Sequence, residues 1–241
     1  MFKEAERLFA LSMDEKLKMD KRKSIGASNR GYEVLGGQGL EEGMRPDLKE
    51  AFYISQDIPM TDSRVQKCRF LMDPNIWPTI RKEYFQTPME SYYKLMFELS
   101  LTVLDILAKG LPYGDDVFED FKSNDAVAAL RLLHYPPGKS GDEKQLGAGA
   151  RTDFGAITLL LQDEVGGLQV WGSTCPSIST NSEEKKGKWV DVPPNRDAYV
   201  VNVGDMLQMW TSGKYKSSLH RVVTQEWPRP LLGSLFLRRQ H

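Results

Sequence analysis

The chain has 241 residues, with 32 lysines and arginines against 33 aspartates and glutamates, a formal net charge of −1 and 40% hydrophobic residues. That balance argues against a basic field for nucleic acid or anionic lipid, and no apolar run approaches the ~20 residues of a membrane span, so a small-molecule or protein partner is expected. Cys68 and Cys175 lie far apart without metal-like spacing, which predicts free thiols in a reducing, cytoplasmic compartment and no disulfide framework.

Residues 2 to 19 place Phe2, Ala5, Leu8, Phe9, Met13 and Leu17 at helix-like intervals. Ser12-Met13-Asp14-Glu15 has the capping-box pattern that restarts a helix after Leu11, so one packing helix or a broken pair is expected. From Asp20 to Pro59, Lys-rich and Gly-rich sequence predicts loops with short strands. Gly36, Gly37 and Gly39 lack the Lys-Ser/Thr and βαβ context of a phosphate cradle. The stretch Asp47 to Ile54 leads into an apolar strand, and Asp73-Pro74-Asn75-Ile76-Trp77-Pro78 is turn chemistry around a buried tryptophan.

Pro88 to Leu111 is the clearest helix. Tyr92, Leu95, Met96, Leu99, Val103, Leu104, Ile106 and Leu107 form a wide apolar stripe, ended by Gly110 and Pro112, and this helix is expected to lie along a sheet. A shorter helix follows from about Asp115 to Phe121. After Asp125 the texture changes to short strands: Val127 to Tyr135, Ile157 to Leu161, Leu168 to Trp171, Trp189 to Val192, Tyr199 to Val203, Ser217 to Val223 and Leu231 to Leu237. Asp205 to Trp210 predicts a helical turn, and Ser173 to Lys188 a surface loop without chemistry. The fold class is therefore mainly β with flanking helices, a sandwich or barrel with helices packed on one side. One domain is expected over 1–241, in which residues 1–125 are a helical and loop-rich support region and 126–241 the β-core.

The chemistry centres on Arg151-Thr152-Asp153. In an extended segment, positions i and i+2 project to one side, which lets two ligands grip one ion. Asp153 supplies a carboxylate, but Arg151 is permanently cationic without an acceptor nitrogen, a poor ligand for a divalent metal. A working site, a rebuilt one and a dead one are all open at this point. Histidines are scarce, at His134, His220 and His241. A lone strand histidine such as His220 is more often structural than a ligand, yet groups on different strands of a barrel can meet in its mouth.

Gly147-Ala148-Gly149-Ala150-Arg151-Thr152-Asp153-Phe154-Gly155-Ala156-Ile157-Thr158, Gly166-Gly167-Leu168, Trp189-Val190-Asp191-Val192-Pro193, Val201-Asn202-Val203-Gly204-Asp205 and His220-Arg221-Val222 occur in one order. Upstream stand Arg30-Gly31-Tyr32, Asp47-Leu48-Lys49-Glu50, Asn75-Ile76-Trp77-Pro78 and Leu133-His134-Tyr135-Pro136-Pro137. With these motifs the chain resembles the Fe(II)/2-oxoglutarate-dependent oxygenases of the isopenicillin N synthase-like group. The resemblance implies a double-stranded β-helix (jelly-roll) core, and non-haem iron held by a His-x-Asp…His triad with open positions for 2-oxoglutarate and dioxygen. It implies oxidative decarboxylation of 2-oxoglutarate to succinate, coupled to hydroxylation, desaturation or ring closure of a small organic substrate of secondary metabolism. Asp153 maps to the carboxylate ligand, His220 to the distal histidine, and Tyr135 to a co-substrate contact. Arg151 stands where the family has its first histidine, which implies a degenerate iron site; its guanidinium is expected to contact Asp153 or face His220. The family's Arg-x-Ser after the last ligand is not recovered, and Arg229 is the nearby candidate. Two functions follow as expectations: an oxygenase, or a catalytically inactive member serving as a binding or subunit partner. Both chain ends look short against the family. Phe154, Leu168, Trp210 and Phe236 are read as core rather than pocket lining.

Overall fold

Ser12 divides the amino-terminal apolar stretch into α1 (Phe2–Phe9) and α2 (Met13–Lys18). Its Oγ accepts from the Glu15 N–H and the Glu15 carboxylate accepts from the Ser12 N–H at 3.1 Å, so the capping box is complete and the broken pair is the one formed. These observations come from a computed structural model, which describes residues 1–25, 28–39, 43–123, 126–138, 144–173, 187–224 and 231–238. Among them, no helix is long and apolar enough to cross a membrane.

Ten strands follow the alternation of the sequence: β1 (Gly31–Glu33), β2 (Glu50–Ser55), β3 (Val127–His134), β4 (Leu146–Arg151), β5 (Ile157–Gln162), β6 (Leu168–Ser173), β7 (Gly187–Asp191), β8 (Val200–Val203), β9 (His220–Val223) and β10 (Leu231–Arg238). They make a six-stranded sheet, β1-β2-β3-β10-β5-β8, and a four-stranded sheet, β4-β9-β6-β7, every pairing antiparallel. This is the expected jelly-roll core. The strand expected over Leu231 to Leu237 is β10, inserted between β3 and β5.

The period of two sorts side chains into two cores. Phe52 and Ile54 of β2, Leu130 and Leu132 of β3, and Ile157 and Leu159 of β5 face the helices. Their neighbours Ala51, Tyr53 and Leu133 face Ala148, Leu168 and Val222 of the smaller sheet. The space between the sheets is where a site can form.

The long helix α4 (Gln86–Lys109) covers the outer core with Met89, Met96, Leu104 and Ala108, and burial of each of the two methionines and the leucine is worth roughly 1.5–3 kcal/mol. The wide stripe expected of it is narrower in the structure: Leu95 and Ile106 are 64% and 62% exposed, because one helix face meets the sheet and these two lie on the other. Gly110 ends the helix at φ −83°, without a left-handed turn. A Cβ there would fall 2.3 Å from the Tyr215 hydroxyl, which donates to Leu107 O at 2.9 Å. The next helix, α5 (Glu119–Ser123), starts later than expected, after turns at 115–118. Ser63–Gln66 is a single helical turn, α3, and Asp205–Trp210 is the predicted short helix, α6. Trp77 is half-buried rather than buried, since its Nε1 reaches out to Asp57 at 2.8 Å. Of the residues read as core rather than pocket lining, Trp210 packs on Phe121, Leu168 is buried but also lines the cavity between the sheets, and Phe154 is 54% exposed. The side chain of Phe236 lies outside the described residues.

Candidate functional site

The register between β4 and β9 pairs Arg151 with His220, and β9 also sets His220 against Val170 of β6. Asp153 follows two residues beyond the end of β4. Its backbone carbonyl accepts from the Asp205 N–H at 2.7 Å, so the first turn of α6 fixes the segment. Gly204 is required there: a Cβ would lie 2.0 Å from Gly155 O and 2.8 Å from Asp153 O. Thr152 Oγ1 donates to Asp205 Oδ2 at 2.9 Å and completes the clamp.

The side chains of Asp153 and His220 meet between the sheets. Asp153 Oδ1 lies 3.7 Å from His220 Nε2, and Asp153 Oδ2 accepts from Asn202 Nδ2 at 2.5 Å. His220 Nδ1 lies 3.1 Å from Ser218 O. A carbonyl can only accept, so Nδ1 carries a proton toward Ser218 O, and Nε2 is the ring atom turned to the Asp153 side, the orientation that metal-binding histidines use.

Arg151 turns elsewhere. Its Nε donates to Gly149 O at 2.9 Å and its Nη2 to Asp47 Oδ2. Lys49 Nζ donates to the same Asp47 oxygen at 2.6 Å, and Asp47 Oδ1 accepts from the Gly149 N–H at 2.9 Å. The expected contact of Arg151 with Asp153 is therefore corrected. The segment before β2 runs beside β4, with Leu48 N bonded to Leu146 O, and sets Asp47 opposite Gly149. A guanidinium folding back along its own strand meets that carboxylate first. The Asp47 carboxyl is raised by burial but held net below the usual range by Lys49 and Arg151. The Lys49 ammonium is pushed down to about 8, by burial first and then by repulsion from Arg151.

Lys49, Arg151, Asp153 and His220 border one cavity of about 50 Å³, lined also by Tyr135 and Thr158 among others. The Tyr135 hydroxyl is pushed up by burial. The ring packs against Gly147, where a Cβ would come 2.8 Å from its Cδ1. Thr158 Oγ1 is buried without a hydrogen-bond partner among the described residues, an unmet polar atom at a cavity that invites a ligand. The expected Arg229 lies outside the described residues. Asp47, Lys49 and Asn202 were missed as site residues, although each stands inside a motif quoted above. Their signal was two charges at the mouth of an apolar strand and one amide in another; Asp47 lies 104 residues from Arg151 and Asn202 49 from Asp153, the groups they bond.

The donor set accepts a divalent metal in two positions. Asp153 offers a carboxylate and His220 an Nε2 lone pair, while Arg151 has no acceptor nitrogen. Among the described residues, no group of three His, Cys, Asp or Glu side chains is placed to hold a metal.

Two facing antiparallel sheets with a carboxylate and an imidazole between them define the architecture of a jelly-roll oxygenase. A model of the 2OG-Fe(II) oxygenase superfamily matches residues 126–229, and one of the N-terminal region of the non-haem dioxygenase in morphine synthesis matches residues 1–80. The chain belongs to the 2OG-Fe(II) oxygenase superfamily, whose members use Fe(II) and 2-oxoglutarate. It is 46% identical over 231 residues to the 2-oxoglutarate-dependent dioxygenase citB of Monascus ruber, a match covering 93% of this chain and 65% of that one. It is 44% identical over 237 residues to the clavatol oxidase claD of Penicillium crustosum, covering 92% and 66%. The chain thus spans just under two thirds of the length of these relatives. Among solved structures, it superposes with a TM-score of 0.76 on a 2OG-Fe(II) oxygenase family protein from Caulobacter crescentus, at 30% identity, covering 99% of this chain and 72% of that one. A full-length Neurospora crassa protein in complex with alpha-KG and thymine gives a TM-score of 0.76 at 28% identity, covering 99% and 71%.

Proposed function

We propose that this chain is a non-haem Fe(II)/2-oxoglutarate-dependent oxidoreductase of secondary metabolism, acting on a small organic molecule, with Asp153 and His220 as its two protein ligands to iron. The observation that carries this is the pair itself, Oδ1 and Nε2 3.7 Å apart at one cavity, with Nδ1 turned away to Ser218 O. Relatives named as 2-oxoglutarate-dependent dioxygenases support it. When bound, iron and 2-oxoglutarate supply oxidative decarboxylation to succinate and carbon dioxide, coupled to oxidation of the organic substrate. The chain's own residues prepare the place for them. Asn202 holds the second oxygen of Asp153 and orients the carboxylate, Ser218 O sets the His220 ring, and Tyr135 borders the position of the co-substrate. Arg229 is the candidate for its distal carboxylate. Asp47 keeps the guanidinium of Arg151 off Asp153, so the carboxylate stays available. Residues 1–125 support the 126–241 core as one oxygenase unit.

A second reading, a catalytically inactive binding or subunit partner, is favoured by one observation, the cation of Arg151 in register with His220 where a third ligand belongs. Succinate release from 2-oxoglutarate with Fe(II) and dioxygen separates the two. The native chain is expected to turn over, and Arg151→His to tighten iron by more than about 10-fold, the scale set by loss of even an outer partner of a metal ligand. Iron binding and turnover confined to the variant would replace the first reading with the second.

A further inference from the structure

Asp47 is one carboxylate shared by two cations. Lys49 and Arg151 both donate to its Oδ2, and its Oδ1 is already taken by the Gly149 N–H. An ammonium has three donors and a guanidinium five. The bonds to Asp47 and Gly149 O use one from Lys49 and two from Arg151. Both side chains line the cavity, where Asp153 is the lone lining carboxylate among the described residues. The side chain of Lys49 is 4% exposed, so water does little to relieve this excess. The lowered pKa of Lys49 has the same origin: a buried cation beside another cation, with half a counter-charge each. Thr158 Oγ1 adds an unmet polar atom to the same cavity. At about 50 Å³ the space holds a few water molecules or the head of a carboxylate.

We propose that Lys49 and Arg151, held side by side by Asp47, form a carboxylate-binding subsite, so that this cavity takes a small organic acid with its carboxylate on the two cations. Arg151 then serves as an anion-binding group at a position where an imidazole would serve a metal; its planar fork suits a carboxylate, and Lys49 adds a point charge. The inference deepens the reading above by naming a substrate class, and it rests on that reading for the role of the cavity but needs no iron. The carboxylate has two sources, the organic substrate or 2-oxoglutarate.

The test is calorimetric titration of the metal-stripped full chain with benzoate, succinate and 2-oxoglutarate, and with benzamide as the neutral control. Carboxylates are expected to bind, benzamide not, and the affinity to fall with added salt. Arg151→Gln and Lys49→Met should each weaken binding about 10-fold, the worth of a hydrogen bond to a charged group. Asp47→Asn removes the resident carboxylate and should tighten it. A purely structural trio would lower the melting temperature in all three variants without these opposite signs in affinity. Benzoate displaced by 2-oxoglutarate assigns the subsite to the co-substrate, and both bound together assigns it to the substrate; either supports the subsite. Equal affinity for benzoate and benzamide in the native chain, or full affinity in Arg151→Gln, overturns it. Carboxylate binding without succinate release would remove the catalytic reading and leave this one standing.

Discussion

Asp47 and Glu50 stand three residues apart, both buried, and are surrounded in opposite ways. Glu50 accepts from Lys16 Nζ at 3.0 Å, from the Tyr32 hydroxyl at 2.5 Å and from His134 Nδ1 at 2.7 Å, so α2, β1 and β3 each give it one partner. His134 is stacked on Phe9 of α1, its ring centroid 5.3 Å away, which closes the cluster from the helical side. Asp47 instead meets two cations, both of which line the cavity. A carboxylate whose donors come from three separate elements fixes the position of four. One that is outnumbered leaves charge free to recruit a ligand, and the two outcomes follow from where each residue sits, Glu50 at the start of β2 and Asp47 three residues before it, beside β4.

The largest effect should come from breaking the matched cluster. Glu50→Gln leaves Lys16, with 9% of its side chain exposed, without a counter-charge, and should cost about 3–5 kcal/mol in denaturant unfolding with no change in carboxylate affinity. A cost below about 1 kcal/mol would break the contrast. Tyr32→Phe removes one hydrogen bond to a charged group and should cost about 1.5–3 kcal/mol. Acid reports the same cluster. Burial raises the Glu50 carboxyl, but His134, Tyr32 and Lys16 together hold it net below its ordinary 4.5. The folded value lies below the unfolded one, so this stabilisation is complete above pH 4.5 and lost as pH falls through the folded value. Unfolding curves below pH 4.5 should therefore be flatter in Glu50→Gln than in the native chain.

Much of this was legible in the chain. Ser12 to Glu15 names its own cap, the alternation in β2, β3 and β5 names the two cores, and Asp153 and His220 do meet at one cavity. β4 was read only as an extended segment, because Gly147 and Gly149 lower strand propensity; Gly147 is there to admit the Tyr135 ring, a contact between residues that no local pattern records. The partner of Arg151 was misjudged for a related reason. Asp153, two residues away, was the obvious carboxylate, whereas Asp47 is 104 positions distant and reaches Arg151 only through strand packing. Local spacing favours the near partner; tertiary pairing chose the far one.

The smallest expected effect is also the sharpest probe of the outnumbered carboxylate. Arg151→Met should change stability by only about 1 kcal/mol, since Lys49 still pairs with Asp47 and the variant relieves repulsion between the two cations. Its signature lies in alkaline pH. The Lys49 ammonium falls to about 8 in the fold from an ordinary 10.5, through burial first and Arg151 next. Between those values the unfolded chain holds the proton that the folded chain has released, so stability rises with pH across that window. Removing Arg151 takes away the second cause, brings the folded pKa back toward 10.5 and flattens the rise. Unfolding free energies from pH 7.5 to 10.5, native against Arg151→Met, measure the difference in slope. Equal slopes would mean that burial alone depresses Lys49, and that the two cations do not feel each other across Asp47.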